Sequence, residues 1–154
     1  MQAAQETREQ PVPPELAPGE LAIRVAARGI DVLVVAGLDV GLGMLIGFGF
    51  DWLALAALIV LAYFVVFDAL AGATPGKLAF GLRVLGPEGG RPSLRQASIR
   101  ESFTLLGAIP FVGPLLAIAA WVWIARGIHS TPLRQGKHDE LAGGTRVVRL
   151  RGAR

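Results

Sequence analysis

Apolar positions in this chain fall into three long blocks, separated by short stretches rich in glycine, proline and charge. The first block runs over residues 22–50, and counted only from Gly29 it still holds 22 residues. That length crosses a hydrocarbon core of about 30 Å at about 1.5 Å per helical residue. The second, "WLALAALIVLAYFVVFDALA", covers residues 52–71. Only residues 47–52 connect them, so the pair predicts a helical hairpin, with Phe48, Phe50 and Trp52 suited to a membrane interface. The third block, "SFTLLGAIPFVGPLLAIAAWVWIA", covers residues 102–125. Pro110 and Pro114, with Gly107 and Gly113, break its middle. It reads either as one kinked crossing or as a re-entrant hairpin, with one helix rising from about residue 94 to 109 and a second descending over 115–126.

Between the second and third blocks, "TPG" is a breaker, "LRVL" at 82–85 a strand candidate and "GPEGG" a turn. "TRVVRL" at 145–150 is a second strand candidate, able to pair with the first outside the bilayer. Residues 1–20, "MQAAQETREQPVPPELAPGE", are polar, acidic and proline-rich, the pattern of a disordered tail. They lack the basic start and immediate apolar core of a cleavable signal peptide, so the first block is expected to remain as a signal anchor. The expected fold class is an all-α membrane protein. Residues 21–154 form its membrane domain, with two transmembrane helices, a proline-broken third membrane segment and room for a small two-stranded cytoplasmic sheet.

Composition agrees. Of the 154 residues, 53% are hydrophobic and 18% charged, which separates the chain from ordinary soluble domains. Absence of cysteine removes disulfides, thiolate metal sites and cysteine nucleophiles, and leaves the redox compartment open. The net charge of +3 is explained by basic residues flanking apolar spans, so no nucleic-acid partner is expected. The 15 lysines and arginines divide into three before the first span proper, five between the second and third blocks and seven from Arg126 onward. None lies in the 47–52 connection. The positive-inside rule then places the N-terminus and residues 74–100 on the cytoplasmic side. A single third crossing would export a tail with seven basic residues, so the charge count favours the re-entrant path.

Three carboxylates interrupt the apolar blocks. Arg24 and Asp31 are two helical turns apart on one face, and Arg28 precedes Asp31 by three, which makes an ion pair sterically easy. Asp68 approaches the same boundary from the second span. Asp31 and Asp68 are therefore expected to face each other, with Arg24, Arg28 and Lys77 as ion-pair partners. Two close carboxylates in a poorly solvated site tend to share a proton unless a cation intervenes, the physical basis of proton-coupled cation exchange. Asp39 lies about 12 Å deeper along the helix, where a charge costs roughly 2.5–3.5 kcal/mol on the insertion scale. It must be protonated, hydrogen-bonded to another helix or wet. Gly37 with Gly41, and Gly43 with Gly47, make small-residue ridges that permit close helix packing.

The remaining motifs add little chemistry. His129 and His138 lie outside the spans, and two histidines without thiolates make no zinc site. "HDELAGG" predicts a short helix capped by Asp139 and ended by glycine. "TPGK" lacks the spacing of a phosphate loop, and no nucleophile motif is present. No enzyme, cofactor or metal centre is expected.

From about residue 23 to 148 the sequence resembles the RDD family, membrane proteins named for one arginine and two aspartates. The opening pattern appears as Arg24, Ala27, Ile30 and Asp31. "TPGKLAFGLRVL", its Gly-Gly turn and "SLRQASIRESF" resemble the central segment, and "RQGKHDELAGGTRVV" the closing motif. The resemblance puts the name residues at Arg24, Asp31 and Asp139, and implies a multi-pass membrane protein concerned with transport of ions or small solutes. Asp39 and Asp68 are not among the name residues, and Glu140 follows Asp139 where an apolar residue is more usual. Arg24 or Arg28, Asp31 and Asp139 could equally staple the folded tail to the first helix.

Two functions follow as expectations. One is a small multi-pass protein of the cytoplasmic membrane that binds or exchanges protons and monovalent cations through Asp31, Asp39 and Asp68, as a homo-oligomer or with a membrane-complex partner. The other is a non-catalytic membrane adaptor or assembly subunit, docking a partner or anionic lipid through its basic cytoplasmic segments.

Overall fold

The computed structural model describes residues 16–150. In chain order the elements are β1 (Leu16–Pro18), α1 (Leu21–Ile46), α2 (Phe50–Ala71), α3 (Pro75–Ala79), β2 (Leu82–Leu85), α4 (Leu94–Glu101), a 3-10 helix (Ser102–Ala108), α5 (Gly113–Ser130), α6 (Lys137–Leu141) and β3 (Arg146–Leu150).

The two long helices are those that the apolar blocks predict, and both are long and apolar enough to cross a membrane. Each buries only a narrow stripe: Ala27, Asp31 and Val35 on α1, and Ala56, Phe64 and Asp68 among the buried residues of α2. Four-residue spacing puts each set on one face. The other faces show Leu33, Met44, Leu45 and Leu58 to the surroundings, an apolar exposure that suits lipid and not water. Gly47 ends α1 at φ 86° and donates its N–H to the Gly43 carbonyl. Gly72 ends α2 in the left-handed region, its N–H on the Asp68 carbonyl. At the turn, Trp52 Nε1 donates to the Asp39 carbonyl at 2.7 Å, and Phe48 meets Trp52 edge to face at 5.1 Å. A Cβ at Gly43 would collide with the Phe48 ring, whereas Gly37 and Gly41 face open space. Of the two ridges only Gly43 therefore packs within the chain; Gly37, Gly41 and Gly47 do not.

Three antiparallel strands form one sheet in the order β1-β3-β2. Arg83 sits opposite Val148 and Val84 opposite Val147. On the other edge, Pro18 pairs with Val148, and an edge strand is where proline costs least. This strand lies inside the stretch expected to be a disordered tail. Its pairing ends that tail before Leu16, because Leu16 and Ala17 find partners on β3 and the Gly19 N–H reaches the Val147 carbonyl at 2.9 Å. The remainder of the tail, residues 1–15, lies outside the described residues. Leu82, Val84 and Val147 pack on Ala27, with Ile23 and Phe80 beside them, and so seat the sheet on the first turns of α1.

The third block does not form the helix expected from residue 94 to 109. A capping box between Ser93 and Gln96 starts α4, but the α-helix stops at Glu101. Ser102 and Thr104 hydroxyls donate back to the Ile99 and Glu101 carbonyls at 2.8 Å, a three-residue reach that matches 3-10 winding. Ile109 turns extended before Pro110, and Phe111, at φ 67° and 97% exposed, forms the tip. The chain then folds back. A Cβ at Gly113 would lie 2.6 Å from the Gly107 carbonyl oxygen, and Phe103 meets Trp121 edge to face at 5.9 Å.

Thr74 caps α3, accepting the Lys77 N–H, with Pro75 in the first turn. Gly76 then lies so close to α1 that a Cβ would collide with the Ala27 carbonyl oxygen and the Asp31 carboxylate. Gly76→Ala is expected to destabilise the protein by about 1–3 kcal/mol, the usual range for overpacking. Gly90→Ala, which meets nothing within 4 Å, should leave the melting temperature in detergent unchanged.

Candidate functional site

Where α1 and α2 meet the sheet, charged side chains from five helices converge away from water. Asp31 on α1 is fully buried. Tyr63 Oη on α2 donates to its Oδ1 at 2.9 Å, the Gly76 N–H to the same oxygen at 2.8 Å, and Thr74 Oγ1 to Oδ2. All three donors are neutral. The Thr74-Pro75-Gly76 turn thus presents a hydroxyl and the first free amide of α3 to one carboxylate, which explains why the turn hugs α1 without room for a Cβ.

One residue later the same short helix serves the second span. Lys77 Nζ donates to both oxygens of Asp68, at 2.6 and 2.8 Å. Arg100 on α4 completes the set, with Nη1 on Asp68 Oδ2 at 2.7 Å and Nε on Asp139 Oδ1 at 2.8 Å. Arg100 therefore bridges α2 to α6. Asp139 Oδ1 also accepts from Thr145 Oγ1 at 3.1 Å, and Oδ2 from the Gly136 N–H at 3.1 Å. Arg24 Nη1 stands 3.5 Å from Asp139 Oδ2, while its Nε and Nη2 donate to the carbonyls of Gly19 and Val147, both at 3.1 Å. Arg28 pairs with Glu101 at 2.9 Å, its guanidinium carbon 3.5 Å over the Phe64 ring, a stacked geometry that favours arginine.

Arg24, Arg28, Lys77 and Arg100 thus meet Asp31, Asp68, Glu101 and Asp139 in equal numbers. Burial pushes the Glu101 carboxyl up, but the charges of Arg28, Lys77 and Arg100 outweigh it and hold it down at about 2. Asp139 behaves alike: burial raises it, and Arg100 with the neighbouring charges and the Gly136 N–H bring it to about 2. Burial lowers Lys77 from its ordinary value against the pull of Asp68. Arg100 loses by burial and gains more from Asp139, Asp68 and Glu101, ending above the usual arginine range. His138, 3.8 Å from Asp139, is lowered by burial to about 4, although Asp139 pulls it up; it is neutral at physiological pH.

The structure places the sequence-derived residues unevenly. Arg24 joins Asp139, as the staple arrangement requires. Asp31 does not join Arg28: the arginine lies on Phe64 and reaches Glu101, while the carboxylate turns to the Thr74–Gly76 donors. Asp31 and Asp68 take different partners, neutral groups in one case and two cations in the other, and α3 links them. Lys77 is a counter-charge, for Asp68. Asp39 lies outside the cluster, half-buried, its Oδ1 without a hydrogen-bond partner. Asp139 caps α6 from its third position, accepting the Gly136 N–H, with Gly136 itself at the cap. His129 is exposed. Among the described residues no group of histidines and carboxylates could hold a metal ion.

Arg100 and Glu101 were not singled out by sequence. The available signal was their spacing, three and four residues after the buried Ala97, which puts charge on the inward side of an amphipathic helix.

The family model described as the RDD family matches residues 18–143, the bulk of the chain. No curated protein and no solved structure gives a significant match.

The His138 shift sets a pH dependence. A histidine whose folded value is depressed binds fewer protons than in the unfolded chain, so stability falls as pH drops from about 6.5 to about 4. Asp139 and Glu101, depressed to about 2, extend the loss below pH 4. In detergent, His138→Gln is expected to remove on the order of 2–3 kcal/mol of this dependence between pH 6.5 and 4 and leave the lower limb.

Proposed function

The chain belongs to the RDD family, and from that premise we propose that it is a multi-pass protein of the cytoplasmic membrane working as a non-catalytic adaptor. In this reading the N-terminus and the sheet lie on the cytoplasmic side and the charged cluster clamps them to the helical hairpin. The antiparallel pairing of β2 with β3 supports it. Strands 82–85 and 146–150 must share one side of the bilayer, so the intervening third block crosses an even number of times or not at all. The fold-back at Phe111 suits a re-entrant segment.

The observation that carries the adaptor reading is saturation. Asp31 and Asp68, which an ion pathway would need free, already hold protein donors on both oxygens. Arginines outnumber carboxylates among the exposed charges around the sheet and the short helices: Arg83, Arg91, Arg95, Arg126, Arg134 and Arg149 against Glu20, Glu88 and Glu140. An acidic segment of a membrane partner fits such a surface. The double variant Arg83→Glu/Arg149→Glu should lose a stoichiometric companion on purification from native membranes, with an unchanged melting temperature. A companion retained at full stoichiometry would remove this reading. Truncating the tail is unsuitable as a control, because Asp139 and Val147 belong to the fold.

One observation favours a second reading, exchange of protons with monovalent cations. Asp39 Oδ1 is buried and unpartnered on a span, where a carboxyl group calls for a proton, a cation or water. In proteoliposomes, dye-reported proton flux should then respond to sodium and fall at least about tenfold in Asp39→Asn, the loss of about 1.4 kcal/mol of coupling. Flux indifferent to sodium would eliminate exchange.

A further inference from the structure

We propose that the cavity between α1, α5 and the sheet binds a phosphate oxyanion supplied by an anionic phospholipid, with Arg24 and Arg28 as its cationic contacts. The inference goes beyond the adaptor reading and requires only that α1 and the fold-back hairpin adjoin the bilayer.

The cavity measures about 50 Å³ and is partly open, large enough for a few waters or one small polar group. Its lining carries Arg24, Arg28, Lys77 and Arg100 against Asp31 and Glu101. Asp68 and Asp139, which balance Lys77 and Arg100, are not among the lining residues. His138, also at the wall, is neutral above about pH 4. The cluster as a whole is balanced, yet the part that faces the cavity has two more cations than carboxylates, which repels a cation and attracts an anion.

Two nitrogens of the lining are left over, Arg24 Nη1 and His138 Nδ1, and only the first belongs to a cation. Arg24 Nη1 is buried without a hydrogen-bond partner, and at 3.5 Å from Asp139 Oδ2 it lies beyond good hydrogen-bond reach. Unsatisfied buried donors are rare and costly, and a phosphate oxygen would satisfy this one. Arg28 stands beside it with its guanidinium carbon 5.6 and 5.5 Å from the Phe103 and Trp121 rings.

The other walls decide the kind of anion. Phe103, Trp121, Ile124 and Ile128 are apolar, and three of them belong to α5, the returning arm of the hairpin. Free phosphate gains nothing from such walls. A phospholipid places its phosphate at the arginines and lays its glycerol and first methylenes on the apolar side. Basic pockets between membrane helices on the cytoplasmic face are suited to anionic headgroups for this reason.

The test uses full-chain protein in neutral detergent, titrated with dihexanoyl phosphatidylglycerol, with bound lipid counted by native mass spectrometry. One lipid per chain should bind saturably, and dihexanoyl phosphatidylcholine at least about tenfold more weakly. Arg28→Gln should weaken phosphatidylglycerol binding about tenfold, as expected for one charge-assisted hydrogen bond. Ile128→Phe fills the cavity without touching a charge and should abolish the saturable component. Equal binding of the two lipids, or undiminished binding by folded Ile128→Phe, would overturn the proposal, and the wild-type comparison decides even if neither variant folds. Displacement of the lipid by inorganic phosphate at similar concentration would overturn the lipid as the source of the oxyanion.

Discussion

Everything at the sheet end of this molecule depends on Arg100 holding two buried carboxylates from different parts of the chain. Asp68 comes from the second long helix and Asp139 from a five-residue helix near the C-terminus, and the guanidinium fork reaches both within 2.8 Å. Removing one member of a buried ion pair typically costs 3–5 kcal/mol, roughly the worth of a whole small domain's margin, because the survivor's charge remains desolvated. The network is accordingly cooperative: sheet, α3, α4 and α6 are tied to the hairpin together. Lysine could not replace Arg100, since a single ammonium lacks the planar fork that spans two acceptors.

Backbone geometry sets the second constraint. Asp31 takes its hydrogen bonds from neutral groups, and the chain supplies two of the three by pressing the Thr74–Gly76 turn onto α1 where α1 offers Ala27 and no larger side chain. Ala27 is 1% exposed and touches the sheet as well. A small residue on α1, a glycine in the turn and a threonine cap are thus three parts of one device, and the carboxylate orients it.

Much of the fold was legible because membrane spans and strands announce themselves locally. Long apolar runs marked α1 and α2, and "LRVL" and "TRVVRL" marked β2 and β3. Pro110 and the glycines marked the fold-back. The third strand was hidden because "LAP" carries proline, and only an edge position in a sheet built by distant residues makes it acceptable. The site was legible as a list of charges and not as a set of pairs. Helical spacing correctly put Arg28 beside Asp31, but spacing ignores competition, and Phe64 with Glu101 from other helices offered Arg28 a better environment. Arg100 and Glu101 escaped because charge next to a membrane boundary looks like a topology signal, and only burial separates the two roles.

The distinction between a clamp and a conduit turns on spare capacity. A carboxylate that conducts must exchange one partner for another at little cost, so it sits with a mobile proton, water or ion. Asp68, with three charge-assisted hydrogen bonds from two cations, would have to break all of them in a poorly solvated site before accepting anything else. Asp31 is held by the Tyr63 phenol of α2 and by a hydroxyl and a backbone amide fixed at the capped start of α3. Among the described residues the groups with spare capacity are elsewhere: an unpartnered oxygen on Asp39 in the long helix, and unpartnered nitrogens on Arg24 and His138 at the cavity wall. Chemistry beyond holding the fold together has its openings there: Asp39 calls for a proton or cation, and Arg24, fifteen residues earlier on the same helix, calls for an anion.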